Sequence, residues 1–335
     1  MLIIQTAFAG DVILTTPLIR AVKSFLPDIE LHCIVRPDTA GLLADNPLLN
    51  RIWIFDKNDH ERGLIAFFSL CRKLRDQVFD VALVPHRSLR SALLPVMAAV
   101  PVRIGFDRSA GSPFFTNVVR YRPDAHEVHR NLDLVRILGW SGDAPVPEIF
   151  PGTAEKNEVD RFCNHLKQPL KPPFVTMAPG SVWPTKRWLP ERFAATALRI
   201  RESGGMRSVL VGGPADRAIA ETIESLAGKA VVNAVGQFSM RSSAELISRS
   251  RVLLANDSAP LHLGVAVHIP VVALFGPTIP GFGFAPFGEG HTVIEKNMDC
   301  RPCGIHGGRR CPKRHFQCMN GIDVDHVVAA LERYL

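Results

Sequence analysis

The sequence predicts an α/β protein made of two tandem domains, each built on a parallel sheet. Three observations carry this. Strand-like and helix-like segments alternate from the N-terminus onward. The alternation stops at a Pro- and Gly-rich segment near the middle of the chain and then starts again. The strand segments are unbroken apolar runs, the pattern of sheets covered on both faces. A length of 335 residues suits two domains, and 47% hydrophobic with 21% charged residues is enough for two cores.

In the first half, strands are expected at 2–6, 30–35 ("ELHCIV"), 51–55 ("RIWIF"), 79–84 ("FDVALV") and 102–105. Helices fit 15–26, 38–45, 61–77 and 88–98, and "EVHRNLDLVRILG" at 127–139 closes the half. "SGDAPVPEIFPG" follows, with three prolines and two glycines and no periodicity, and reads as a linker. The second half offers strands at 174–178, 208–212, 230–233, 251–255 and 271–275, with helices at 190–203, 215–227, 241–249 and 259–267. The predicted division is 1–150, 151–320 and a C-terminal helix over 321–335. Two such domains put a cleft between their sheets, and ligands of such sheets bind beyond the carboxyl ends of strands.

The first strand-to-helix turn, "QTAFAGDVILTTPLIRA", carries one glycine, Gly10, and then a carboxylate, Asp11, where many nucleotide-binding folds seat a pyrophosphate. In the second half, "LLANDSAPLHLGVAVHIPVVALFGPT" puts Asp257 and Ser258 at the start of a helix with Pro260 just inside it. A helix N-terminus is a seat for a diphosphate, and small residues at Ser258 and Ala259 let a ligand approach; an ordinary capped core helix fits the segment equally. Lys186, in "MAPGSVWPTKRWLPERFA", follows a strand end and could neutralise a diphosphate, or be a solvated loop lysine. "VLVGGPADR" adds Gly212, Gly213 and Asp216, and an acid so placed can bind ribose hydroxyls.

These segments, with "NPLLNRIWIFD" and "RIGFDR", resemble glycosyltransferase family 9, the ADP-heptose:lipopolysaccharide heptosyltransferases, in order over almost the whole chain. "HEVHRNLDLVRILG" and the cysteine segment most resemble the heptosyltransferase II members. The resemblance implies a GT-B fold, two Rossmann-like domains with parallel sheets facing a central cleft. The first domain would bind the acceptor and the second the nucleotide sugar. It implies an inverting transfer of heptose from ADP-heptose to a lipopolysaccharide inner core of Kdo-lipid A type. Asp11 would be the general base, which fits a carboxylate that would repel a pyrophosphate at that turn; the alternative role for Asp11 is a helix cap. Lys186 would be the second catalytic residue. Donor contacts would come from Ser181, Lys186, Gly212, Asp216, Asp257, Ser258, Ala259 and His262, with Asp216 on the ribose. The loop Gly236 to Met240 and the "LFGPT" turn would border the adenosine. The family's Asp-Ser-Gly reads Asp257-Ser258-Ala259 here, which bears on how closely the backbone meets the phosphates.

A net charge of +7 suits anionic partners. Arg87, Arg90, Arg108, His126 and Arg130 are the candidate acceptor contacts, with Arg87 foremost, since Arg forks bind phosphate and carboxylate. No metal is expected at the reacting centre, because Lys186 and the helix start at Ser258 would supply positive charge. Cys300, Cys303, Cys311 and Cys318 are candidates for a structural zinc, a disulfide or free thiols. The neighbouring Arg309, Arg310, Lys313 and Arg314 suit anionic headgroups. No apolar run approaches a spanning helix and no secretory signal is visible, so the cytoplasm is expected, at the inner face of the inner membrane if the resemblance holds. The other readings are a GT-B transferase or epimerase using another nucleotide sugar, and a Cys-cluster nucleic-acid-binding protein. Few aromatics interleave with Lys and Arg, which disfavours nucleic acid, and no G-x-G-x-x-G follows either first strand, which disfavours a dinucleotide dehydrogenase.

Overall fold

The computed structural model describes residues 1–56 and 63–335, with the side chain of Leu64 also outside the description. The first two residues of the helix expected at 61–77 lie outside the described residues. The chain divides into two compact units, Met1–Phe150 and Pro151–Leu335.

The first unit holds β1 (Leu2–Ile4), β2 (His32–Val35), β3 (Arg51–Ile54), β4 (Val81–Val84), β5 (Val102–Phe106) and β6 (Asn117–Val119). They form one sheet in the order β3-β2-β1-β4-β5-β6, every pairing parallel. The second unit repeats the design with β7 (Val175–Ala178), β8 (Ser208–Leu210), β9 (Val231–Asn233), β10 (Val252–Asn256), β11 (Val271–Phe275) and β12 (Thr292–Glu295). Its order is β12-β11-β10-β7-β8-β9, again parallel throughout. Both are the doubly wound order in which the chain reverses direction beside its first strand. The reversal falls between β1 and β4 in one unit and between β7 and β10 in the other. Loops leaving those four strands are therefore the natural ligand loops.

The helices are α1 (Ala9–Ile13), α2 (Thr16–Phe25), α3 (Pro37–Ala40), α4 (Gly63–Arg75), α5 (Leu89–Met97), α6 (Glu127–Arg136), α7 (Thr153–His165), α8 (Pro190–Gly204), α9 (Arg217–Ala227), α10 (Met240–Ser248), α11 (Ala259–Ala266), α12 (Gln317–Asn320) and α13 (Val324–Glu332). Their starts follow local chemistry. Ser88 caps α5 by accepting from the Ser91 N–H, Asp323 caps α13 through the His326 N–H, and Pro190 opens α8 at its first position. The central strands are buried along their whole length, Ile3 between Cys33 and Leu83, Ala255 between Ala178 and Ala273. In the second unit Trp188, Phe193, Ile200 and Leu254 share a core with Val327 and Leu331 of α13, so the last helix belongs to that core. Among the described residues no helix is long and apolar enough to cross a membrane.

Several elements differ from the sequence expectation. The helix expected at 15–26 is α2, and a short helix that was not expected, α1, precedes it; between them Thr15 and Thr16 turn their hydroxyls back onto the carbonyls of Asp11 and Ile13. Strands β6 and β12 were not expected; both are sheet edges, short and partly exposed, so they lack the apolar run that marks their neighbours. Helix α7 follows the linker directly and is polar over most of its surface, with Val159 and Cys163 the buried pair.

Candidate active site

The loops leaving β7, β8 and β10 converge on one pocket of about 460 Å³ in the second unit. Gly180, Ser181, Gly212, Asp216, Ser258 and Ala259 all line it. Asp216 is set against the glycines. A Cβ at Gly180 would fall 2.3 Å from the Asp216 carboxylate, and one at Gly212 would fall 2.8 Å from its Oδ2, so a side chain at either position would push that carboxylate from its place. Oδ2 of Asp216 accepts from the Gly213 N–H at 3.0 Å. Burial raises the Asp216 pKa, against the lowering effect of that N–H and of Arg187. Phe238, Met240, Ile247 and Leu263 add apolar surface to the pocket's lining.

Beyond β10 the chain does not cap its helix as expected. Ser258 is the N-cap residue of α11, but its side chain makes no capping bond; the hydroxyl donates back to the Asn256 carbonyl at 3.3 Å. The first turn of α11 is thus left uncapped by its own serine, which keeps positive potential at the pocket wall. Asp257 does not face a free backbone either. Its Oδ2 accepts from Lys186 Nζ at 2.6 Å and from Thr278 Oγ1 at 2.6 Å. Asp257 is buried and Lys186 nearly so, with side chains 7% and 12% exposed. Asn256 ties the same loops together, accepting from the Trp188 N–H at 3.1 Å and donating to the Pro179 carbonyl at 2.8 Å. The fully buried Trp188 anchors the far side, its Nε1 donating to the Ile322 carbonyl.

In the first unit, Asp11 lies after β1, in the first turn of α1, and its Oδ2 accepts from the Phe8 N–H at 3.2 Å. It retains some accessible surface, yet its pKa is raised to about 7. Burial is the main cause and the Glu127 carboxylate the next, opposed by the Phe8 N–H and by Arg87. A carboxyl that titrates near neutrality is suited to taking up a proton. Arg87, after β4, stacks on the Tyr121 ring with its guanidinium 4.4 Å from the centroid; Arg130 and Arg108 lie at 4.8 and 6.0 Å from the same ring. His86 shares hydrogen bonds with Thr6, Ser88 and Ser91 and so joins the loops leaving β1 and β4.

Of the residues singled out in sequence, Ser181, Gly212, Asp216, Ser258 and Ala259 share the pocket, and Lys186 and Asp257 pair with each other. His262 is buried within α11 and is not among the pocket-lining residues. Arg87 and Arg90 are exposed, Arg87 at the end of β4 and Arg90 early in α5. His126 accepts from the Val128 N–H as the N-cap of α6. Arg130 is 1% exposed and bonded to Glu127 and to the carbonyls of Arg122 and Pro123, which makes it a brace of the fold. The loop Gly236 to Met240, expected beside the adenosine, supplies Phe238 and Met240 to the pocket, while sequence reasoning missed Tyr121, Glu127, Arg187, Ile247 and Leu263. Tyr121 is one of two tyrosines in the chain and follows Arg120, the one signal that could have marked it.

Of the four C-terminal cysteines, Cys303, Cys311 and Cys318 line one small pocket. Cys318 is buried in the core, Cys303 Sγ donates to the Cys300 carbonyl, and Cys300 lies 3.9 Å from His315 Nε2. All are free thiols, and among the described residues no three His, Cys, Asp or Glu side chains are grouped so as to hold a metal ion. Burial raises the Cys311 thiol pKa, but the N–H groups of Phe316, Lys313, His315 and Arg314 outweigh it and the net shift is downward.

Comparison with known proteins bears on this geometry. The sequence model of glycosyltransferase family 9 (heptosyltransferase) matches residues 67–309. Lipooligosaccharide heptosyltransferase 2 of Haemophilus ducreyi is 24% identical, over 100% of this chain and 99% of that protein. Lipopolysaccharide heptosyltransferase 2 of Escherichia coli K12 is 25% identical, over 84% of each. The solved structure of E. coli ADP-heptose LPS heptosyltransferase II covers 99% of this chain and 97% of its own, with a TM-score of 0.83 at 22% identity. The two doubly wound units are those of the GT-B class. With a family match over most of its length and that fold from end to end, the chain belongs to glycosyltransferase family 9 and is a glycosyltransferase.

Proposed function

We propose that the protein transfers heptose from ADP-heptose to the inner core of lipopolysaccharide, with inversion at the anomeric carbon. The observation that carries this reading is the second unit's pocket. It offers an acid held between glycines for ribose hydroxyls, an apolar wall for a base and, at the same strand ends, a half-buried lysine for a diphosphate. Those are the three parts of a nucleoside diphosphate. Asp216 takes the ribose, Phe238, Met240, Ile247 and Leu263 the adenine, and Ser181, Ser258 and Ala259 lie along the phosphates. Lys186, fixed by Asp257, stabilises the negative charge that builds on the leaving ADP. With that charge met by Lys186 and the uncapped start of α11, the transfer requires no divalent ion.

Asp11 is the general base in this proposal. With a pKa raised to about 7 it is ionised above neutrality and still basic enough to accept the proton of an attacking hydroxyl. Proton transfer to Asp11 and departure of ADP then accompany one displacement, which inverts the configuration. Arg87 and Arg108, stacked on Tyr121, are the contacts for an anionic Kdo-lipid A based acceptor. An acceptor on lipid places the reaction at the cytoplasmic face of the inner membrane, with Arg309, Arg310, Lys313 and Arg314 toward its headgroups.

Calorimetry with ADP, UDP, GDP and CDP tests the donor side. ADP binding at least tenfold tighter than the others is expected. Equal affinities, or a preference for UDP, would turn the reading to a transferase or epimerase of another nucleotide sugar.

A further inference from the structure

The segment between Cys303 and Cys311 lies against the turn that carries Lys186. The Thr185 N–H and Oγ1 both donate to the Gly308 carbonyl, at 3.2 and 2.9 Å. The Gly308 N–H donates back to Thr185 Oγ1 at 2.7 Å. Beside this clasp the Trp183 and His306 rings stack, centroids 6.4 Å and planes 14° apart. Gly307, between His306 and Gly308, is seated so closely that a Cβ on it would fall 2.6 Å from Trp183 Cβ, 2.9 Å from Lys186 Cγ and 3.1 Å from Thr185 Oγ1. Only glycine fits there without displacing the Lys186 stem. Thr185 is itself buried, and none of the roles given above uses it.

A lysine is a point charge on a flexible four-carbon stem, and holding it still costs side-chain entropy. Among the described residues, its ammonium is anchored by Asp257. The stem and the backbone beneath it are held from the other side by the segment 306–308, which packs on Cγ and pins the preceding residue.

We propose that residues 306–308, clasped by Thr185, are a positioning element for Lys186. They hold its turn and stem so that the ammonium meets the donor's diphosphate without first being ordered. Thr185, His306 and Gly307 touch no substrate and act through Lys186. The inference rests on the reading of Lys186 as the diphosphate's cation. It also gives the cysteine-bearing segment a part in donor binding, which the cysteines themselves do not supply.

The test uses the full chain with Thr185→Val, Thr185→Ser and His306→Ala, each alone and combined with Lys186→Ala. ADP affinity by calorimetry, donor KM and kcat, and melting temperature are measured for each. Thr185→Val, which keeps the volume and removes the hydroxyl's two bonds, is expected to raise both ADP Kd and donor KM about five- to tenfold. Thr185→Ser keeps the hydroxyl and should stay within about twofold of wild type. On the Lys186→Ala background, Thr185→Val should change ADP Kd by less than about twofold, because the group it positions is gone. His306→Ala should move the same quantities in the same direction, and it decides the matter if Thr185→Val does not fold. A lower melting temperature with unchanged ADP affinity would overturn the proposal and leave the segment a structural patch. So would an undiminished Thr185→Val effect on the Lys186→Ala background. If Lys186→Ala alone left ADP affinity unchanged, the diphosphate reading itself would fail, and the positioning role with it.

Discussion

Replacing Asp11 with Asn removes the ionisable group and keeps the shape, so it separates the carboxylate's charge from its place in the first turn of α1. The wild-type carboxyl has a pKa of about 7 against an ordinary value of 3.8. Ionising it in the folded protein therefore costs about 4 kcal/mol more than in the unfolded chain, at 1.36 kcal/mol per pKa unit. Because Asp11 keeps some contact with water, we take about 2 kcal/mol as the expected cost. The sign follows from proton uptake. Between pH 3.8 and about 7 the folded state binds more protons than the unfolded state, so stability falls as pH rises through that window and levels off above it. Asp11→Asn lacks this slope. At pH 8 the variant should melt above wild type, and the gap should shrink by roughly half on lowering the pH to 5. In the same window, wild-type kcat/KM should rise about tenfold per pH unit up to about pH 7 and then level. The variant should lose about 10²–10⁴-fold in turnover and lose that limb of the profile with it. A titrating phosphate on the acceptor would produce a similar limb in both proteins, so its survival in the variant would refute the assignment. A variant within threefold of wild type, melting no higher at pH 8, would make Asp11 a helix-turn residue only.

Lys186→Ala should weaken ADP binding about tenfold or more by calorimetry and slow turnover further at saturating donor, since charge accumulates on ADP as it leaves; it also strands Asp257 in a buried site, so a drop in melting temperature is expected alongside. Gly180→Ala would force a methyl into the Asp216 carboxylate, and ADP affinity should fall about tenfold with adenosine affinity falling in parallel; unchanged binding would remove Asp216 from the ribose. Arg87→Ala and Arg130→Ala should part company: the first raises acceptor KM at constant melting temperature, while the second breaks a buried pair with Glu127 and should cost about 3–5 kcal/mol of stability, visible as a lowered melting temperature. Transfer should survive EDTA at saturating donor; loss of turnover restored by magnesium, with an unmoved melting curve, would overturn the metal-free proposal.

Residues that report on their own neighbourhood were legible in the sequence. The apolar runs at 174–178 and 251–255 are strands because both faces of each are covered, and that coverage writes itself into every position. The helix start at Ala259 was visible in Ser258 and Pro260, though the serine's actual bond was not: a hydroxyl has several partners within reach, and sequence does not choose among them. What the sequence hides is pairing across distance. Lys186 and Asp257 are 71 positions apart and Thr185 and Gly308 are 123 apart; the adjacency of β7 and β10 brings the first pair together, and the long segment after β12 returns to the β7 loop to make the second. Arg130 shows the converse. In sequence it reads as one more basic residue of the first half, and burial against Tyr121 with three bonds turns it into a brace.

The most direct test of the account is transfer itself, followed by mass spectrometry. The full chain is incubated with ADP-heptose and a Kdo-lipid A based core acceptor, with UDP-glucose and GDP-mannose as competing donors. The acceptor is expected to gain a heptosyl unit from ADP-heptose alone, with ADP released in equal amount, and Asp11→Asn to give at most about one hundredth of that product in the same time. Transfer from UDP-glucose in preference, or ADP release with no gain in acceptor mass, would contradict it.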